Sequence, residues 1–197
     1  ALGYGLLLAE AYTWLVVVLG FIQTAWPLHR RPAELQGTPA SWPTVDVYIP
    51  TYNEPLSVVR TTVLASIALD WPQDKVKVFI LDDGRREEFR AFAESMGVGY
   101  IVRPDNNHAK AGNLNHALKK TDGELVAIFD CDHIPTRSFL TTAVGWFQRD
   151  PKCAMLQTPH HFFSPDPFER NLGTFRRVPN EGALFYGKVR RRKVVPF

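Results

Sequence analysis

Cysteine and methionine are scarce, two of each in 197 residues, and Cys131 and Cys153 cannot build a disulfide framework. Nothing in the chain therefore requires an oxidising compartment. Internal repeats and low-complexity tracts are lacking too, and with 45% hydrophobic and 22% charged residues the chain is neither disordered nor collagen-like. Its length fits one domain or slightly more, with enough apolar residues for a sizeable core. A strong charge of one sign is also missing. The net +3 comes from residues 188–197, where Lys188, Arg190, Arg191, Arg192 and Lys193 stand without an acid. Without these five, 18 basic residues face 20 acidic ones, so the body of the chain is no nucleic-acid binder.

One long hydrophobic run is present. Leu2 to Trp26 holds a single charge, Glu10, and no proline. A bilayer core asks for about 20 apolar helical residues, so residues 1–28 are expected to be a transmembrane helix. Tyr12, Trp14 and Trp26 suit headgroup depth, and His29, Arg30 and Arg31 just beyond favour a cytosolic position for the rest of the chain. A cleaved signal peptide fits poorly, because no basic region precedes the run and the run is too long. The chain begins without methionine, and sequence upstream is expected. Residues 29–44, rich in proline, read as a linker.

From residue 45 the pattern alternates. Val45–Ile49, Val76–Leu81, Tyr100–Val102, Leu125–Phe129 and Ala154–Gln157 read as strands. Between them, Leu56–Leu69, Glu87–Met96, Lys110–Lys120 and Ser138–Arg149 read as helices, with Gly97 a natural C-cap. Strands separated by single helices imply crossovers and an α/β fold with a mainly parallel sheet covered on both faces.

Ligands of such sheets bind beyond the carboxyl ends of the strands. There the chain places polar clusters: Pro50-Thr51-Tyr52-Asn53-Glu54-Pro55, then Asp82-Asp83-Gly84, then Asp130-Cys131-Asp132-His133. Acidic pairs at one sheet edge repel unless a cation or several N–H donors meet them. Oxygen ligands from few carboxylates suit Mg²⁺ or Mn²⁺ shared with phosphates. In an extended stretch Asp130 and Asp132 would point the same way. His108-Ala109-Lys110-Ala111-Gly112-Asn113 adds a lysine at a helix start, a setting that favours phosphate. Each motif alone also fits a solvated turn or an ordinary surface helix; their joint occurrence at strand ends points to a site.

In this order the motifs resemble family 2 glycosyltransferases, and among them the catalytic subunits of bacterial cellulose synthases. Gln157-Thr158-Pro159-His160, Pro179-Asn180-Glu181 and Phe185-Tyr186-Gly187 strengthen the narrower likeness, which runs over roughly residues 5–187. It implies a GT-A fold, incomplete here, over residues 45–187, with 188–197 a basic tail outside the likeness. It also implies processive, inverting transfer of glucose from UDP-glucose to a growing β-1,4-glucan, with Mg²⁺ or Mn²⁺ as cofactor. By motif, Tyr52 would stack on uracil beside Thr51 and Glu54, and Asp82 would contact the uridine. Lys110 would contact the diphosphate and His133 a phosphate. Asp83 near the ribose, with Asp130 and Asp132 holding the metal or donor, would complete the catalytic set. The implied partners are the glucan, membrane lipid and other synthase subunits. The implied location is the bacterial inner membrane, with the catalytic domain facing the cytoplasm.

The family's base, in a downstream Thr-Glu-Asp motif, and its glucan-binding Gln-x-x-Arg-Trp motif do not occur in these residues. The chain is thus expected to be a piece of a longer enzyme. A family 2 transferase making another polysaccharide and a non-catalytic UDP-sugar-binding membrane fragment are the alternatives. Asp130 also lacks the following residues of an aspartate-dependent phosphatase. Cys131 between two acids is a poor thiolate, His160-His161 lacks a third metal ligand, and Phe162, Phe163 and Phe168 read as core or membrane-proximal residues.

Overall fold

The computed structural model describes residues 2–25, 32–158, 160, 165–174 and 177. The Trp26–Arg31 exit, Pro159, His161, Phe162, Phe163, the motifs between Pro179 and Gly187, and the basic tail lie outside the described residues. The chain forms two compact units, one of residues 33–148 and one of residues 1–32 with 149–197.

In the second of these, Leu2–Ala25 is a continuous helix, α1. Its sequence offers no polar stripe, and Leu6, Leu8, Trp14, Val17 and Phe21 are all exposed around it. The stretch Gly3–Ile22 is long and apolar enough to cross a membrane. The expected fifth strand at Ala154–Gln157 does not form: these residues are irregular and Met155 is 72% exposed. Four apolar residues become a strand only where a sheet edge accepts their N–H and C=O groups, and no ladder involves them among the described residues. Pro167–Leu172 is instead a short helix that the sequence pattern did not predict. Asp166 and Glu169 cap it reciprocally, and Phe168 lies exposed on it rather than in a core.

The unit 33–148 is built on four parallel strands: β1 (Val45–Thr51), β2 (Val76–Asp82), β3 (Gly99–Ile101) and β4 (Leu125–Ile128). Their order is β3-β2-β1-β4, so β1 is flanked on both sides and buried along its whole length. Thr51 stands level with Asp82 and Tyr48 with Ile128, which brings the ends of β1, β2 and β4 to one edge. The intervening helices are α2 (Leu56–Ile67), α3 (Glu87–Met96) and α4 (Ala109–Leu118), and α5 (Phe139–Arg149) follows β4.

Alternation along the strands sorts the core onto two faces. Val45, Val47, Ile49 and Ile80 pack with Val59, Val63, Phe89, Leu140 and Val144 from α2, α3 and α5. Tyr48, Leu81 and Ile101 pack on the other face with Ala117 of α4. Part of the stretch expected as a linker joins this unit. Ala33 is buried, Trp42 stacks on Trp71 with centroids 4.7 Å apart, and Lys75 Nζ donates to Trp42 O at 2.6 Å. A side chain at Gly145 of α5 would collide with the backbone oxygens of Ala33 and Glu34, so glycine there permits the close approach.

Candidate functional site at the carboxyl edge of the sheet

The loop leaving β1 closes on itself. Glu54 Oε2 accepts from the Thr51 hydroxyl at 2.8 Å and from Tyr52 N–H at 2.9 Å. Burial works against ionisation of Glu54, but these two donors and the Arg86 charge together hold its carboxyl below the usual range. The carboxylate thereby fixes a turn that leaves the Tyr52 ring half exposed above the sheet edge.

Beyond β2 the geometry departs from expectation. Asp82 is fully buried, and its two oxygens are saturated. Oδ1 accepts from Gly84 N–H at 2.9 Å and from Arg86 Nε and Nη2 at 3.2 and 2.9 Å. Oδ2 accepts from Arg86 N–H at 2.7 Å and from the Tyr100 hydroxyl at 2.9 Å. Burial, then the hydrogen bond to Asp82, pushes the Tyr100 phenol up to about 12, so it stays a donor. Asp83, also buried, forms a two-pronged pair with Arg103, Nε to Oδ1 at 2.6 Å and Nη2 to Oδ2 at 2.7 Å. Asp82 and Asp83, the residues expected at the uridine and the ribose, are thus both engaged by donors of the protein itself. As placed, both carboxylates are turned into the framework, because two acids buried at one strand end need donors and counter-charge from the protein itself.

Two arginines that the sequence reading missed supply that charge. Arg86 joins β2 to the β1 loop: beyond its bonds to Asp82 it donates through Nη1 to Glu54 O at 2.5 Å and through Nη2 to the Thr51 hydroxyl at 3.0 Å. Its guanidinium lies 3.6 Å from the Phe89 ring centroid. Arg103, just past β3, is almost wholly buried. Part of the signal was available: acids directly after a largely apolar strand must be neutralised, and Arg85-Arg86 follow within four residues, whereas Arg103 stands 20 positions from Asp83.

Beyond β4 the acids are placed differently. Asp130 and Asp132 are exposed to solvent at 45% and 69% of their side chains. The segment is a tight turn rather than the extended stretch expected, closed by His133 N–H donating to Asp130 O at 2.9 Å. Cys131 turns inward between the two acids while the Thr62 hydroxyl holds its carbonyl at 2.7 Å. Burial first, then Glu54, Asp132 and Asp130, push the Cys131 thiol up to about 11, as its neighbours led one to expect. His133 lies between the acids, Nδ1 3.9 Å from Asp130 and Nε2 3.9 Å from Asp132. Lys110, the second residue of α4, reaches across from the neighbouring loop and pairs with Asp130.

Among the described residues no cluster of three or more His, Cys, Asp or Glu side chains is arranged as a ready-made metal cage. Asp130 and Asp132 nonetheless fit a divalent ion that takes its remaining oxygens from phosphate and water, since both carboxylates face solvent and a cation, Lys110, already rests on one. The edge thus gathers an exposed aromatic ring, a half-exposed ammonium and two open carboxylates. That set can hold a flat base, a diphosphate and a divalent ion.

The chain is similar to curated proteins over nearly its whole length. It is 64% identical over 187 residues to "Cellulose synthase catalytic subunit [UDP-forming]" of Pseudomonas fluorescens, covering 95% of this chain and 25% of that protein. Identity is 63% over 186 residues to the protein of the same description from Xanthomonas axonopodis pv. citri, with 94% and 26% covered. The chain spans about a quarter of the length of these curated relatives. Among solved structures it is similar to the mannosyltransferase PcManGT of Pyrobaculum calidifontis, in complex with GDP-Man and Mn²⁺. The TM-score is 0.53 at 28% identity, over 66% of this chain and 40% of that one. With its parallel sheet in the order β3-β2-β1-β4, the unit is a partial GT-A domain. The profile of glycosyl transferase family 2 matches residues 46–195, and the chain belongs to that family.

Proposed function

We propose that the chain is the nucleotide-sugar-binding part of a UDP-forming cellulose synthase, which transfers glucose from UDP-glucose to a growing β-1,4-glucan with inversion. The observation that carries this reading is the pairing of Lys110 with Asp130 beside Asp132 and His133. It joins the start of α4 to the end of β4 at the edge where Tyr52 is exposed. The 64% identity to a UDP-forming synthase supports the choice of donor.

Tyr52 stacks on the uracil ring, with Thr51 and Glu54 fixing its loop. Lys110 exchanges its carboxylate for the diphosphate, and His133 donates to a phosphate oxygen. Asp130 and Asp132 hold a divalent ion, Mg²⁺ or Mn²⁺, and the Mn²⁺ of the similar mannosyltransferase complex supports this. The ion, when bound, supplies Lewis-acid stabilisation to the leaving UDP. Lys110 adds a positive charge where negative charge develops as the glycosidic bond breaks. Asp82 and Asp83 act one layer behind, by holding the loops that carry Tyr52 and Lys110.

We place α1 across a bacterial inner membrane, with the catalytic unit on the cytoplasmic side and lipid, the glucan and other synthase subunits as partners. Twenty-four helical residues reach about 36 Å, beyond the ~30 Å of a hydrocarbon core. The all-round exposure of apolar side chains on α1 supports lipid as its surroundings.

The test is turnover by the full-length protein in membranes, with UDP-glucose and a divalent ion, followed by digestion with a β-1,4-specific glucanase. Release of UDP with a digestible polymer is expected. A resistant polymer would retire the cellulose assignment in favour of another family 2 product. UDP binding without turnover would favour a non-catalytic role.

A further inference from the structure

Arg103 does more than neutralise Asp83. One edge of its guanidinium takes the carboxylate, and the remaining N–H groups reach into the loop before α4. Nη1 donates to Asn107 O at 2.5 Å and Nη2 to Ala109 O at 2.9 Å. Between and at these carbonyls the backbone is strained: His108 has φ 60° and Ala109 φ 44°, both in the left-handed region that non-glycine residues avoid. His108 stands at the N-cap of α4 and makes no side-chain cap. The helix start is therefore fixed from outside, by the arginine fork, where a Ser or Asp would usually fix it from within. Gly112 belongs to the same device, since a Cβ there would come within 2.5 Å of Arg103 Nη1 and also collide with Asn107 O. Arg85 closes the network, donating to Arg103 O at 2.9 Å and to Asn106 Oδ1 at 2.8 Å.

Lys110 is the residue after Ala109. A rotation of the Ala109 peptide would swing the lysine stem away from the sheet edge, and errors near 1 Å at such groups are costly. We propose that Arg103 is a positioning residue of the diphosphate site, held by Asp83 and setting, through the Asn107 and Ala109 carbonyls, where Lys110 stands. The proposal rests on the reading of Lys110 as a diphosphate ligand. The planar fork is essential to it, because lysine could keep the charge opposite Asp83 but could not serve the carboxylate and two carbonyls together.

The experiment compares UDP with uridine as ligands of the full-length protein, with Mg²⁺ present. Uridine reads the Tyr52 side alone, whereas UDP also reads Lys110. Arg103→Lys is expected to weaken UDP about tenfold and to leave uridine unchanged. In a Lys110→Ala background the same substitution should have no further effect on UDP. Gly112→Ala, which keeps both charges but crowds Arg103 Nη1 and Asn107 O, should give the same UDP-selective loss. Equal weakening of UDP and uridine, or an undiminished effect of Arg103→Lys without Lys110, would mean that Arg103 only stabilises the fold, and would overturn the proposal. Should Lys110→Ala by itself leave UDP affinity intact, the diphosphate reading falls first and this inference with it.

Discussion

The ends of β2 and β4 carry the same sequence signature, two acids directly after a buried apolar strand, and the fold uses them in opposite ways. Asp82 and Asp83 sit beside β1, under the loops that follow β1 and β3, and are enclosed by Arg86, Tyr100 and Arg103. Asp130 and Asp132 follow β4, at the margin of the sheet as described, and stay open to solvent. Position in the sheet, not the motif, decides. A carboxylate behind a covered strand end must find donors within the protein, while one at the margin keeps its lone pairs for an incoming cation. Asp-Asp-Gly is thus placed as a brace, and Asp-Cys-Asp, on the function proposed above, as a grip.

That contrast predicts crossed phenotypes. Asp83→Ala leaves the buried Arg103 charge without a partner, for a loss of about 3–5 kcal/mol of stability. It should appear as a clear fall in the thermal unfolding temperature of the solubilised full-length protein. Asp132→Ala removes an exposed carboxylate and should change stability by less than about 0.5 kcal/mol, while lowering turnover by about 10²–10³-fold. If both substitutions lowered stability alike, or if Asp83→Ala lost turnover at unchanged stability, the division between brace and grip would be gone.

Much of the frame was legible in the chain because strand and helix periods are local properties. β1, β2, α3 and β4 formed within a residue or two of expectation. Which strand ends point polar groups at one edge followed from the parallel order alone. The fate of individual acids was not legible, since Asp82 and Asp130 look alike until neighbours distant in sequence are in place. Arg103 lies 20 positions from the carboxylate it holds, and Tyr100 lies 18 from Asp82. The missing strand at Ala154–Gln157 failed for a related reason. Its apolar pattern is genuine, but a strand is a property of a pair, and one segment does not contain its partner. The helix start at Lys110 was legible because motif and helical pattern coincide there, whereas the strained His108-Ala109 backbone before it left no compositional trace.

The smallest expected effect tests whether the β1 loop belongs with the brace or with the grip. Glu54 is partly exposed like Asp130, yet it is hydrogen-bonded inward like Asp82. Its folded pKa is depressed, mainly by the Tyr52 and Thr51 donors acting against burial. A depressed acid contributes stability above its unfolded pKa of about 4.3, and that contribution is lost as the pH falls through the folded value. Wild type should therefore melt above Glu54→Gln by a constant margin between about pH 7 and 5, and the margin should shrink progressively as the pH falls below about 4.3. The same margin should appear in UDP affinity, because ionised Glu54 fixes the turn that presents Tyr52. A stability margin that closes in acid without any change in UDP affinity would assign Glu54 to the brace alone. A margin that does not shrink at all as the pH falls below the unfolded pKa of about 4.3 would mean that the amide fails for reasons of shape rather than charge.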